Sequence, residues 1–198
     1  ESLLRMDKKG RCFFLFTFTH VEPQSSNTQR VLGLDVGVYN LAVTSERMFY
    51  GGREIRHLRK KHDRLISEVQ SKCTKASKRK LKKISGSWRR FMTKTNHEIS
   101  KDIVSPLNCG DTIVMEDLSG IRQTARYNKW IHKWAFRQLQ SFVEYKSLRK
   151  GIRVVYVNPA YTSKECSRCH KRETIRVRGF LRCKTCGFKI NSDLSASR

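Results

Sequence analysis

Acidic residues are scarce in this chain of 198 residues. Seventeen Asp and Glu stand against 42 Lys and Arg, leaving a formal charge of +25. Self-repulsion on that scale is tolerated where a polyanion is the partner, so nucleic acid is the first expectation. Long apolar runs are also missing. The longest, Cys12-Phe-Phe-Leu-Phe16, is far short of the roughly 20 residues of a spanning helix, so no membrane partner is expected. The opening Glu1-Ser-Leu-Leu-Arg5 carries no secretory apolar segment, and the reading is of a soluble cytoplasmic protein. There is no Walker-type glycine cradle, no His-Glu-x-x-His helix and no defensible Ser/His/Asp pattern, which leaves His20, His57, His62, His97 and His132 as surface or packing residues. A hydrophobic content of 38% still provides for a core, in one large domain or one domain with a small module.

Seven cysteines are present, and four of them carry a pattern: Cys166-x-x-Cys169 and Cys183-x-x-Cys186. Two such turns supply four thiolates from a segment too short to fold on its own core, the usual basis of a tetrahedral structural Zn2+ site. A zinc ribbon is the reading. A disulfide pair needs an oxidising compartment, and a haem reading of Cys166-Ser-Arg-Cys169-His170 leaves the second pair unused. His170 flanks the ribbon without ligating. Cys12, Cys73 and Cys109 are read as small hydrophobes.

Periodicity orders the rest. Residues 11–21 read as a strand followed by a polar linker from Glu22 to Gln29. Val31–Val36 is an apolar run without alternation, as in a strand covered on both faces, and Leu41–Thr44 and Arg47–Tyr50 follow at hairpin distances, which makes a meander. From Glu54 to about Pro106 the period is helical. Ile55, Leu58, Leu65, Ile66 and Val69 share one face, and Trp88, Phe91, Met92, Ile99 and Ile103 another, as in a helical hairpin. Its connection carries Lys75, Lys78, Arg79, Lys80, Lys82 and Lys83, read either as a solvated turn or as a phosphate contact. A second buried strand at Gly110–Glu116, a basic loop at Ile121–Asn128, a helix through Trp130, Trp134, Leu139, Phe142 and Val143 capped by Gly151, and a strand at Ile152–Val157 complete the order. The fold class is α/β, a mixed sheet with flanking helices.

Acids inside apolar strands of so basic a chain need a reason. Asp35 lies within Leu32-Gly-Leu-Asp-Val-Gly37, where a carboxylate is costly unless hydrogen-bonded, paired or metal-bound, and Gly33 and Gly37 leave the backbone bare for a phosphate. Glu116 and Asp117 point to opposite faces, and Glu116 is the better partner for Asp35 because Asp117 suits the following turn. Asp193 falls in the first turn of a helix capped by Asn191 or Ser192, where the helix dipole alone also favours an acid. Together the three acids suit two Mg2+ (or Mn2+) ions about 3.5–4 Å apart, arranged for in-line attack on a phosphodiester.

Gly33-Leu-Asp-Val-Gly-Val-Tyr-Asn40, Val114-Met-Glu-Asp-Leu118, Asn158-Pro-Ala-Tyr-Thr-Ser-Lys-Glu-Cys-Ser-Arg-Cys169, Cys183-x-x-Cys-Gly187 and Asn191-Ser-Asp193, in that order, resemble the TnpB (OrfB) proteins of insertion sequences, relatives of compact type V CRISPR effectors. The resemblance implies an RNase H-like (RuvC) nuclease with Asp35, Glu116 and Asp193 as its acidic triad. It also implies RNA-guided DNA cleavage at the prokaryotic nucleoid, with target DNA and a guide RNA as partners. On that pattern residues 1–29 are a residual wedge-barrel strand and linker, and 30–159 the nuclease core with the helical hairpin 54–106. Residues 160–189 are the zinc ribbon, and 190–198 a truncated final segment. The ribbon's Arg168, Lys171, Arg172, Arg176 and Arg178 either hold single-stranded DNA or are solvated. The rivals are a catalytically inactive nucleic-acid-binding regulator or transposition accessory protein, a type V CRISPR effector fragment, and a guide-independent resolvase.

Overall fold

A computed structural model of the chain describes residues 2–8, 10–17, 29–37, 39–118, 136–158 and 164–198. The loop expected at 121–128, Trp130, Trp134, Thr162 and Ser163, His20 and His132, and most of the linker expected at 22–29 lie outside those residues.

The central sheet has five strands in the order β5-β4-β3-β6-β7, with β3 Val31–Asp35, β4 Asn40–Thr44, β5 Phe49–Gly51, β6 Thr112–Glu116 and β7 Arg153–Val157. β3, β4 and β5 pair antiparallel as the expected meander, whereas β6 runs parallel to β3 and β7 parallel to β6. Parallel neighbours need crossovers, and helices supply them. α1 (Arg53–Gln70) and α2 (Lys75–Val104) lie between β5 and β6, and α3 (Phe136–Arg149) between β6 and β7.

One sheet face makes the core. Leu32, Leu34, Ile113 and Met115 meet Met92, Ile99 and Ile103 of α2 and Leu139 and Val143 of α3. Burial therefore alternates along β3, contrary to the expectation of a strand covered evenly on both faces. The outward positions are Val31, Gly33 and Asp35, and the cover on that side is small and local. In α1 only Ile55 and Val69 of the expected apolar face are buried, and Leu58 and Leu65 remain more than a third exposed.

Local signals set the element ends. Thr74 and Ser77 form a reciprocal capping box at the start of α2. Gly151, at a φ of 68°, ends α3 in a Schellman motif: its N–H donates to the Leu148 carbonyl and that of Ile152 to the Ser147 carbonyl. Lys150 then donates to the carbonyls of Val104, Ser105 and Leu107 and ties α3 to the end of α2.

There are two smaller sheets besides. β1 (Ser2–Met6) and β2 (Cys12–Phe16) pair antiparallel, so the strand expected at 11–21 has a hairpin partner that its sequence did not announce. Its apolar side chains, Phe13 to Phe16 among them, are exposed. The other is antiparallel in the order β10-β9-β8, made of β8 Thr174–Val177, β9 Phe180–Cys183 and β10 Lys189–Asn191, and leads straight into α4 (Ser192–Ala196). No helix among the described residues is long and apolar enough to cross a membrane.

Candidate functional site

The register of β3 against β6 matches Leu34 with Met115 on the core side. One residue further, Asp35 and Glu116 fall side by side on the opposite face, the face of Gly33. α4 covers that face. A Cβ built on Gly33 would lie 1.8 Å from the Ser197 carbonyl oxygen, so only glycine admits the turn that ends α4. The glycine is further clamped by Ser45, whose Oγ accepts from the Gly33 N–H at 3.1 Å. The sequence-based reading of Gly33 as bare backbone for a phosphate is therefore corrected. The open side of Gly33 is filled by the chain itself, and the Cβ position of Gly37 is 3.0 Å from the Asn40 carbonyl oxygen.

α4 delivers the third acid. Asn191 is the cap, its Oδ1 accepting from the N–H groups of Asp193 and Leu194 at 3.0 and 3.2 Å, which places Asp193 in the first turn. The Asp193 carboxylate accepts from Asn40 Nδ2 at 2.8 Å and from Ser192 Oγ at 3.1 Å. Arg176 of β8 stands 3.6 Å away, Nη2 to Oδ1.

The electrostatics of Asp35 register this convergence. Its pKa is raised from 3.8 to about 7, first by burial, then by the negative charges of Glu116 and Asp193, against a partial offset from Arg176 and the Val36 N–H. Positions 35, 116 and 193 thus meet electrostatically at one place. Asp117 does not join them: it bears on Tyr156, and its N–H donates to the Val157 carbonyl. The three carboxylates are not gathered into one tight ligand shell. Among the described residues, only the four thiols are a group whose ligand atoms all lie within 4.8 Å of one another.

Three contributors escaped sequence reasoning. Asn40 was visible only as part of a run, and its contact lies 153 residues away. Arg176 read as one cation among many. Gln140, 5% exposed, donates from Nε2 to the Glu116 carbonyl oxygen at 2.7 Å and pins the end of β6. A polar residue inside the apolar stripe Leu139–Val143 was its only signal.

The cysteines form a second centre. Cys166 and Cys186 Sγ are 3.7 Å apart, and Cys169 and Cys183 Sγ 3.6 Å. These separations suit one tetrahedral ion, since thiolates about 2.3 Å from zinc lie roughly 3.8 Å from each other. The two knuckles repeat one backbone design. Cys166 N–H donates to the Lys171 carbonyl and Cys183 N–H to that of Phe188, and the residue after each second cysteine, His170 or Gly187, has a left-handed φ. Cys183 is held down at about 6, first by the Cys186 N–H and also by donation from Cys169. Cys169, despite the Lys171 N–H, is pushed up to about 12 by burial and by its hydrogen bonds with Cys186, Cys183 and Cys166. His170 faces Glu165 at 3.1 Å and stays outside the cluster.

Comparison with known proteins identifies the family. Residues 15–122 match the family model OrfB_IS605, described as a probable transposase, and residues 136–198 match the Cas12f1-like TNB domain. A CRISPR-associated endodeoxyribonuclease Cas12f1 of Sulfoacidibacillus thermotolerans is 28% identical over 222 residues, covering 100% of this chain and 51% of its own length. A TnpB-like protein of Methanocaldococcus jannaschii is 32% identical over 144 residues, covering 70% of this chain and 51% of its own length. The chain thus spans about half the length of these relatives. A cryo-EM structure of a Cas12f1-sgRNA-target DNA complex shares the fold, with a TM-score of 0.64 at 20% identity over 94% of this chain and 51% of that one.

Proposed function

Because the chain belongs to the OrfB (TnpB) family of insertion-sequence proteins, we propose that it is the nuclease part of an RNA-guided DNA endonuclease, with an RNase H-like (RuvC) core and a zinc ribbon. The observation that carries this reading is the convergence of Glu116 and Asp193 on the half-buried Asp35. Three carboxylates brought together from a central strand, its parallel neighbour and a helix have no stabilising value to one another without a cation. Arg176 supplies only a partial offset.

The donor set fits Mg2+ or Mn2+, hard ions that take carboxylate, phosphate and water oxygens. Asp35, Glu116 and Asp193 would hold the ions, and two such ions supply charge stabilisation at both the attacking and the leaving oxygen of an in-line phosphodiester displacement. The chain's own groups prepare that arrangement. Asp35 would serve such an ion as its carboxylate, because a bound cation would offset the negative charges of Glu116 and Asp193. Asn40 Nδ2 and Ser192 Oγ fix the rotation of the Asp193 carboxylate, and Gln140 fixes the backbone that carries Glu116. Arg176 leans from the ribbon over the same carboxylate and is placed to meet substrate phosphate. Cys166, Cys169, Cys183 and Cys186 would hold one structural Zn2+, closing the small sheet that carries Arg176 and leads into Asp193.

The partners on this reading are target DNA and a guide RNA, in keeping with the +25 charge. The test compares Mg2+-dependent DNA cleavage and gel-shift affinity in the guide-loaded protein for the parent, Asp35→Ala, Glu116→Ala and Asp193→Ala. Cutting is expected to be abolished and binding retained. Parental cutting rates in all three variants would refute the nuclease reading.

A further inference from the structure

Across the sheet from the carboxylates, the outer surface of the helix layer carries a second feature. α2 turns Met92, Asn96, Ile99 and Ile103 inward, which leaves Arg90, Lys94, His97 and Lys101 along its exposed face at spacings of four, three and four. α3 lays Lys146 beside them. With Arg89 these residues line a shallow open groove of about 600 Å3. Arg90 to Lys101 spans about 16 Å of helix, enough for a short run of nucleotides.

His97 is the aromatic side chain in that lining, and two rings behind it fix its position. His97 lies flat on Phe142, with ring centroids 3.9 Å apart and planes 14° from parallel, and Tyr145 meets the two rings edge-on at 6.5 and 5.9 Å. Tyr145 Oη is 3.4 Å from His97 Nδ1, so the imidazole is held in the plane as well as stacked. Phe142 backs one face of His97, and the residue remains exposed to solvent. Lys146 Nζ is anchored to the His97 carbonyl oxygen and to Ser100 Oγ at 2.6 Å each. The one acid in the lining, Glu98, is 3.7 Å from Lys94 along the same helix.

Stacked ring and flanking cations together match one ligand chemistry. A duplex hides its bases and offers phosphates alone, and an acidic peptide would leave the ring face unused. An unpaired strand offers both a base face and phosphates. We propose that the α2–α3 groove binds single-stranded nucleic acid, one base stacking on the open face of His97 while Arg90, Lys94 and Lys101 take the flanking phosphates. Asp35 and Glu116 lie on the other face of the sheet, so a strand held here is not at the carboxylates. The site stands independently of the nuclease reading.

The test is fluorescence anisotropy of labelled ten-nucleotide RNA and DNA single strands on the 198-residue chain at fixed salt. His97→Ala removes the ring without changing the cation count and is expected to weaken binding on the order of tenfold, the loss of one base–aromatic stack. His97→Phe restores the ring and is expected to restore affinity to within about twofold. Neither substitution should alter binding of a duplex or of a strand made abasic throughout. The tighter of the RNA and DNA arms identifies the strand. All of these affinities are read in chelator, where nothing is cut, so a failed nuclease reading does not disturb the outcome. Unaltered affinity in His97→Ala, or an equal loss on the abasic strand, overturns the proposal.

Discussion

The Asn40 side chain, at the first residue of β4, donates to the Asp193 carboxylate in the first turn of α4, Nδ2 to Oδ2 at 2.8 Å. The bond orients the one acid that the sheet does not itself carry. A hydrogen bond to a charged group contributes about 1.5–3 kcal/mol. Asn40→Ala is therefore expected to raise the Mg2+ concentration needed for half-maximal cleavage severalfold. Cleavage at saturating Mg2+ should fall less, because Ser192 Oγ still holds the carboxylate. A Mg2+ titration of the guide-loaded variant checks it, and an unshifted midpoint would count against an orienting role.

Asp35 makes the metal-free chain pH-sensitive in a particular direction. Its folded pKa of about 7 lies above the unfolded 3.8, so the folded state binds the proton more tightly. The stabilisation this gives is full below about pH 3.8 and is lost as pH rises through 7. Asp35→Asn never carries the charge. In chelator, urea unfolding is expected to show the variant more stable than the parent by a few kcal/mol at pH 8, with the gap nearly closed at pH 4.

The four thiols are expected to bind one zinc ion per chain, measurable by elemental analysis of protein purified without chelator. Cys183→Ser should release the metal and unfold β8 to β10, seen as lost amide protection there while β3 and β6 keep theirs. Because β8 carries Arg176 and β10 runs directly into α4, the same variant should also lose DNA cleavage. Sulfurs paired as disulfides would contradict the metal reading.

Gly33→Ala is expected to displace α4 without disrupting the central sheet. The added methyl would overlap the Ser197 carbonyl oxygen, and overpacking of this kind costs about 1–3 kcal/mol. Hydrogen exchange should quicken at 192–197 and stay slow in β6. Cleavage should fall with it, since Asp193 moves with α4.

Those elements whose evidence is local were legible in the sequence. The meander, the two long helices and the parallel strands announce themselves by periodicity, and the cysteine knuckles by a spacing that a metal dictates. Asp35 and Glu116 stood out because an acid in an apolar strand is costly. β1 escaped because a hairpin with apolar side chains exposed on it has no burial pattern to read. Gly33 was misread for a related reason: a missing side chain marks close approach of something without saying what. Asn40, Arg176 and Gln140 act on partners 153, 17 and 24 positions away, across strand registers and crossovers that no local window contains.

The packing of α4 on Gly33 also orders events during synthesis. Strands β3 and β6 and the helices between them can pair as soon as residue 116 is available. Asp193 emerges 77 positions later, roughly 4–15 s at ordinary elongation rates. Its segment then has to dock on a surface already formed. A nascent chain can thus bury its core and hold its basic faces ready while its carboxylate set is still incomplete. On the proposed nuclease reading, cutting would wait until the last strand of the small sheet has closed.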